Sequence, residues 1–498
     1  MRKFLFLSLL CAAGAAQAQK LPNPEPFART VTAADLKKHL YIVASADFEG
    51  RETATEGQRK AAAYIENHFR SLGLLPGGGG GNYQLYYPVY QDSLEDAMLS
   101  VNDQPFTLKK DFFVNVSNNY TAELLASEVV FAGYGISDST RDDYKDLDVR
   151  GKIVLVLGTW PAGMTPGGRN APIAKQEAAQ RHGAAAVLIL QLTVPRNLLD
   201  TKGRMTLNPY KKTIYPDTWY VNEKIAQAIM GDDYAAAAQN GKALPKAYTA
   251  NIHLGFRKSS LKLQSSDVLG FLEGTDLKDQ VLVLSAHYDH LGKRDTVIWY
   301  GADDDGSGTV SILELAQAFA KAKAAGKGPR RSILFLANSG EEKGLLGSEY
   351  FSDHPTYPLD HMTADLNIDM IGRIDPNRKH GDSMNYVYVV GSDKLSSELK
   401  PISEGNNKKY SKLELDYKFD DPNDPDRIYY RSDHFNFARK GVPIIFYFDG
   451  INNDYHRPTD TPDKINYDLL EKRARLVFYT AWEMANRNDM IKRDIPLK

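Results

Sequence analysis

The sequence predicts an α/β fold, a mostly parallel mixed sheet flanked by helices, with a β-rich module inserted into it. Two features of its texture carry this reading. From about residue 255 strand-like runs alternate with helical ones, the order expected when helices cross over between parallel strands. Between Tyr83 and Leu254 the chain instead breaks into short β-like runs separated by Gly, Pro and Asp. The 498 residues, 42% hydrophobic and 25% charged, suffice for two or three packed domains and exclude disordered, collagenous and coiled-coil classes. Lys plus Arg is 61 against 63 for Asp plus Glu, so no basic excess exists to neutralise a phosphate backbone, and nucleic acid is not an expected partner.

Taken in order, Arg2 and Lys3 precede an apolar run from Phe4 to about Ala16, and Ala16-Gln17-Ala18 places small residues where a signal peptidase reads. Residues 1–18 are thus expected to be a cleaved signal peptide, leaving Gln19 first and an exported chain, periplasmic or extracellular. Cys11 is the only cysteine and would leave with that signal, so no disulfide, thiol nucleophile or zinc thiolate is expected. No other run approaches the roughly 20 apolar residues of a membrane helix, so no membrane insertion is expected. From Ala33 to Leu75 the pattern is helical, with Tyr64, Ile65, His68, Phe69 and Leu72 on one face. Pro76 and Gly77 to Gly81 stop it and predict a mobile surface loop.

The inserted module is expected over 96–254, with β-like runs at Val129 to Gly133, Lys152 to Leu157 and Ala185 to Leu190 and a helix at Ala174 to His182. It divides the remaining domain into 19–95 and 255–498. In that second part the predicted strands are Val281 to Ser285, Ile333 to Ala337, Leu366 to Ile371, Val387 to Val390 and Pro443 to Phe448. A helix from Val310 to Ala322 puts Ile312, Leu315, Ala316 and Phe319 on one face. Asn115-Val116-Ser117 and Asn119-Tyr120-Thr121 are glycosylation sequons, informative only in a host that glycosylates.

Polar, metal-competent groups follow these strands, at the sheet edge where open α/β folds bind ligands. Ala286-His287-Tyr288-Asp289-His290 ends the first. Gly301-Ala302-Asp303-Asp304-Asp305-Gly306-Ser307-Gly308 precedes the helix; its aspartates read either as helix capping or as a carboxylate bridging two cations. Ser339-Gly340-Glu341-Glu342 ends another strand, where the pair is either a solvated surface feature or a division of labour between cation and water. Asp369 lies inside an apolar run and needs a partner. Tyr455-His456 follows the last strand. Singly each has an ordinary structural reading; jointly they offer two His, two Asp and one Glu as ligands, with a second Glu to spare. Imidazole and carboxylate without thiolate suit zinc, with cobalt or manganese as substitutes.

Together these motifs resemble the di-zinc exopeptidase family that includes bacterial leucyl aminopeptidases and glutamate carboxypeptidase. Ser432-Asp433-His434 and Gly441-Val442-Pro443 add to the resemblance. It implies two zinc ions bridged by Asp303, with His287 and Asp369 on one and Glu342 and His456 on the other. It makes Glu341 the general base on the water shared by the zincs, Asp289 the carboxylate orienting a ligand histidine, and Tyr429 an oxyanion-stabilising group. It also implies a cis peptide at Asp303-Asp304. The insert resembles a protease-associated domain through Val130 to Ile136, Asp142-Asp143-Tyr144 and Val149 to Val156. The function expected is an aminopeptidase acting on peptides. The alternatives are a carboxypeptidase or dipeptidase on the same site, which would need Arg373, Arg427 or Arg431 in the cleft, and then a glutaminyl cyclase or a non-catalytic binding protein on this scaffold.

Overall fold

A computed structural model describes residues 21–164, 171–191, 200–238 and 245–496. The expected signal segment and Cys11 lie outside them. Two compact units are present, one running up to Tyr87 and again from Ser265 onward, the other Pro88–Gln264. These boundaries differ from 95/96 and 254/255 because two long strands, Gln84–Val101 and Lys246–Leu272, run through them, and a strand gives no composition shift where it changes unit.

In the first unit a single helical turn, Glu25–Ala28, precedes α1 (Ala33–Val43) and α2 (Glu56–Ser71). The single helical pattern expected over this stretch is thus interrupted. A 3₁₀ turn at Ala46–Arg51 carries Glu49, Gly50 and Arg51 at φ of 51°, 69° and 53°, which no helix continues through. Thr55 caps α2 by accepting from the Gln58 N–H, and the buried face is Ala61, Ala62, Ile65 and Phe69. The glycine run is exposed at Gly79, Gly80 and Gly81, as a surface loop should be, but its first two residues are not. Gly77 and Gly78 are buried, and Gly77 N–H donates to Leu269 O at 3.0 Å. A Cβ at Gly77 would stand 3.0 Å from Leu269 and Leu334 side chains, so the close approach itself requires glycine.

The sheet of this unit uses β1 (Lys246–Leu272, by its last five residues), β2 (Leu277–His287), β3 (Arg331–Asn338), β4 (Met362–Ile368), β5 (Tyr386–Val390), β6 (Glu414–Asp416) and β7 (Ile444–Phe448). Their order is β6-β5-β7-β4-β2-β3-β1. Strands β7, β4, β2 and β3 run parallel, while β5 pairs antiparallel with β7 and parallel with β6, and β1 pairs antiparallel with β3. Every residue of β3, β4, β5 and β7 is buried, as expected of strands covered on both faces. Helices α3 (Gly308–Ala324) and α4 (Tyr467–Asn486) supply part of that cover, and Phe319 of α3 sits 4.7 Å from Phe478 and 5.9 Å from Trp482 of α4 between ring centroids. His287 ends β2 opposite Asn338 at the end of β3, and Asp369 follows β4, so the parallel register delivers these residues to one edge.

In the second unit the strands Ala122–Phe131, Ile153–Leu157, Ala186–Leu190 and Asp217–Val221 are parallel neighbours, edged by antiparallel Phe112–Val114. Helices at Ala171–Arg181 and Glu223–Met230 accompany them, so this unit is more α/β than the short-strand texture predicts. The Asn119 side chain is fully buried and donates to Thr218 O at 3.0 Å, which removes that sequon from consideration as a glycan site. Among the described residues no helix is long and apolar enough to cross a membrane.

Candidate metal centre

The three consecutive aspartates after Ala302 have three separate tasks. Asp305 is the helix cap: its Oδ1 accepts the Gly308 N–H at 2.8 Å and the Met370 N–H at 3.0 Å, and its Oδ2 accepts the His287 N–H at 3.2 Å. Asp303 is bound inward, with Oδ1 accepting from Gly372 N at 2.8 Å and Oδ2 from Asn452 Nδ2 at 2.9 Å. Asp304 alone faces the histidines. Its Oδ1 lies 3.3 Å from His287 Nε2, and its Oδ2 lies 3.1 Å from His456 Nε2. The position between the histidines therefore belongs to Asp304, not Asp303. The backbone leaves helical geometry at Asp304 (φ −100°, ψ 100°) and Asp305 (φ −113°, ψ 49°), which turns adjacent carboxylates in different directions. The cis peptide likewise falls at Asp304-Asp305, one residue beyond the expected bond.

Around Asp304 the polar atoms form two groups. His287 and Asp369 meet one of its oxygens, with His287 Nε2 3.6 Å from Asp369 Oδ1. Glu342 and His290 meet it on the other side, and His456 approaches there too, 3.2 Å from Glu342 Oε2. Several of these buried atoms have no hydrogen-bond partner: His287 Nε2, both ring nitrogens of His290, Asp304 Oδ2 and Glu342 Oε1. Buried nitrogen and carboxylate oxygen left unpaired at this density are costly unless a cation draws their lone pairs together. Burial alone would raise the Asp304 pKa, yet the imidazoles of His287, His456 and His290 hold it well below the carboxylate range. Burial disfavours charge on His456, yet Asp304 and Glu342 push its pKa up to about 10, a measure of the unbalanced negative charge here. The donor set, imidazole and carboxylate oxygen only, fits zinc or a similar divalent ion.

The supports of these groups are specific. His287 Nδ1–H donates to the Asp289 carbonyl at 3.1 Å, which leaves Nε2 with its lone pair toward Asp304. The Asp289 carboxylate, expected to do this, stands 3.7 Å from Nδ1; it accepts from Glu341 N at 3.2 Å and from Thr53 Oγ1 at 2.6 Å. Asp369 Oδ2 accepts from Ser432 Oγ at 2.6 Å, and Ser432 in turn accepts from Asn367 at 2.9 Å. Asp460 accepts from Asp303 N at 3.0 Å and Asp304 N at 3.2 Å and so fixes the turn. Arg51, fully buried, donates to the carbonyls of Val43, Tyr288, Tyr300 and Gly301 at 2.7–2.8 Å and ties the turn after β2 to the aspartate segment. Neither Asp460 nor Arg51 has a motif that distinguishes it from a surface residue, and the sequence reading passed over both. It also passed over His290, although it quoted it.

Glu341 stands with Oε2 3.9 Å from His287 Nε2, at the rim of a hollow of about 30 Å³ shared with Asp304 and Asp369. Burial, with Glu342 and Asp369 adding to it, pushes its carboxyl well above the ordinary range against the opposing pull of His287. The far wall is apolar: Met370, Ile428, Phe446, Phe448 and Ile451. Arg431 also lines the hollow, its Nη2 donating to Tyr455 at 3.3 Å. Of the other two arginines considered, Arg373 pairs with Asp454 at 3.0 Å and Arg427 lines a separate cavity of about 300 Å³. Tyr429 belongs to that second cavity, with Lys394 5.3 Å from its ring, and is not among the residues lining the hollow. A tyrosine beside the carboxylates does exist, Tyr455, whose hydroxyl burial and the charges of Asp304, Glu342 and Glu341 push upward.

A parallel α/β sheet thus gathers two imidazole–carboxylate groups about one aspartate at its carboxyl edge. Residues 267–481 match the sequence model of peptidase family M28. The chain is 30% identical over 217 residues to a probable leucine aminopeptidase of Arthroderma otae, covering 42% of this chain and 56% of that one. It is 26% identical over 261 residues to a probable zinc metalloprotease of Pyrenophora tritici-repentis, covering 44% and 51%. The chain thus spans about half the length of these curated relatives. Its fold is similar to that of an aminopeptidase from Aneurinibacillus sp. strain AM-1, with a TM-score of 0.61 at 19% identity over 95% of this chain and 99% of that one. It is also similar to BSAP, a zinc aminopeptidase from Bacillus subtilis, with a TM-score of 0.53 at 20% identity over 96% and 97%.

Proposed function

We propose that this chain is a zinc-dependent exopeptidase that removes N-terminal residues from peptides. The observation that carries the reading is the Asp304 carboxylate, whose two oxygens each face a separate group of buried and largely unpaired donors. His287 and Asp369 would hold one cation and Glu342 and His456 the other, with Asp304 shared. Two such cations supply Lewis acidity toward a peptide carbonyl and make water acidic enough to lose a proton near neutral pH. Glu341, held by its N–H on Asp289 and with its carboxylate lining the hollow 3.9 Å from His287 Nε2, would take that proton and return it to the leaving amine. The apolar residues Phe446, Phe448 and Ile451 line the hollow beside these carboxylates.

Support for zinc and for aminopeptidase chemistry comes from the relatives, a probable leucine aminopeptidase and a probable zinc metalloprotease. Support for export comes from residues 1–18 and is tested by sequencing the N-terminus of the secreted chain, expected to begin at Gln19. Support for reading the insert as a protease-associated domain comes from the segments Val130 to Ile136 and Val149 to Val156. One observation favours a second reading: Arg431 in the hollow could grip a substrate carboxylate, as a carboxypeptidase or dipeptidase requires. Purified protein is assayed for bound metal and for cleavage of Leu-peptides with free, blocked and amidated ends. Hydrolysis that needs a free amino end and tolerates an amidated carboxy end supports the aminopeptidase. The opposite dependence supports the second reading. No divalent metal and no hydrolysis with zinc, cobalt or manganese supplied rejects both.

A further inference from the structure

His290 lies in the buried cluster with Asp304 and Glu342. Its side chain is fully buried and both ring nitrogens lack a hydrogen-bond partner. A neutral imidazole carries one N–H and one lone pair, so leaving both unpaired in the interior forfeits two interactions at once. Nδ1 lies 2.8 Å from Glu342 Oε1 and 3.9 Å from Asp304 Oδ2. The nearer pair is at hydrogen-bond distance but out of line for one, since neither atom has a bonded partner. A ring nitrogen and a carboxylate oxygen this close, off the line of a hydrogen bond and grouped with Asp304, are placed to share one ion, each about 2.0–2.2 Å from it.

The surrounding chain is shaped to hold the ring there. Gly301 adopts φ of 55°, and a Cβ at that position would overlap the His290 ring and the Asp304 carbonyl. His290 N–H donates to Arg51 O at 3.3 Å, which anchors the backbone beneath the ring. The ring lies edge-on to His456, centroids 6.0 Å apart and planes at 69°. His456 itself is more than a third exposed, with 37% of its side chain in solvent, whereas His290 is sealed in.

We propose that His290 is a direct ligand, through Nδ1, of the cation that Glu342, His456 and Asp304 hold, so that this half of the centre has two imidazoles where the other has one. The inference rests on the proposed two-cation site. It predicts unequal halves: the His290 side binds its ion with more protein ligands and keeps it longer under chelation.

The test titrates metal-free wild type, His290→Ala and His290→Gln with cobalt, reading the visible spectrum and calorimetric affinity of each equivalent, beside the anomalous diffraction of wild-type crystals. Both variants are expected to weaken one equivalent by more than about 100-fold, beyond what loss of a merely supporting residue costs, and leave the other unchanged. The wild-type ion is expected about 2.0–2.1 Å from His290 Nδ1. A glutamine variant that binds like wild type, or an ion more than about 3 Å from that nitrogen, assigns His290 to hydrogen bonding of Glu342 and overturns the proposal. The crystal measurement stands if the alanine variant does not fold. Wild type that binds no divalent cation overturns the two-cation reading itself, a result distinct from one in which both ions bind and His290 touches neither.

Discussion

Asp303 and Asp304 are neighbours in the chain and face opposite sides of it. Asp304 reaches His287 and His456, while Asp303 is spent on Gly372 N and Asn452. The two carboxylates are chemically identical, so their difference is a property of the turn alone, and it sets up a paired experiment. Asp304→Asn should abolish binding of at least one metal equivalent and reduce kcat/KM by more than about 10³-fold, in keeping with loss of electrostatic stabilisation in a closed site. Asp303→Asn should retain both equivalents. Isothermal titration with zinc checks each.

Glu341→Gln keeps the shape of the side chain and its N–H bond to Asp289 but removes the proton acceptor. Metal content should be unchanged and kcat should fall by about 10²–10⁴-fold, the usual contribution of a positioned base. Turnover at the wild-type rate would remove Glu341 from that role.

Chelation should cost stability as well as activity. With the cations gone, Asp304, Asp369, Glu342 and Glu341 repel one another in a buried pocket. Zinc at about 100 times its dissociation constant should restore about 2.7 kcal/mol per site, read as a rise in Tm by calorimetry.

Arg51 should matter far more for folding than an arginine usually does. Its four bonds to backbone carbonyls, three of them buried, have no substitute in methionine, and Arg51→Met should lower stability by more than about 3 kcal/mol. Denaturant unfolding of the zinc-free protein measures this apart from metal binding.

His68 is held neutral. Burial, with the charge of His39 adding to it, lowers its pKa to about 4 despite its contact with Leu313 O. The unfolded chain therefore binds the extra proton first, and this residue's contribution to stability is present above about pH 6.5 and lost as pH falls toward 4. His68→Gln should flatten the stability profile in that window relative to wild type.

Much of this was open to reading in the chain. His287, Glu341, Glu342, Asp369 and His456 each follow or end an apolar strand, and a parallel sheet brings such positions to one edge, so the sequence pattern places them together. Which member of Asp303-Asp304-Asp305 faces the histidines depends on dihedrals at two residues, and three identical side chains carry no signal for it. Tyr429 failed for a related reason: with Tyr430 beside it, spacing from Ser432 cannot tell which tyrosine, if either, turns toward the carboxylates, and Tyr455 is the one that does. Arg51 and Asp460 act across more than 150 residues of chain through backbone groups, which no local motif encodes. The helix Tyr467–Asn486 went unread although its buried face is extensive, because polar residues interrupt its apolar positions.

The central claim is that Asp304 is shared by two ions. Diffraction recorded on either side of the zinc absorption edge from crystals grown with zinc tests it most directly. Two anomalous peaks about 3.5–4 Å apart, one beside His287 and Asp369 and the other beside Glu342, with an Asp304 oxygen on each, are the predicted result. A single peak, or a pair centred on Asp303, would contradict it.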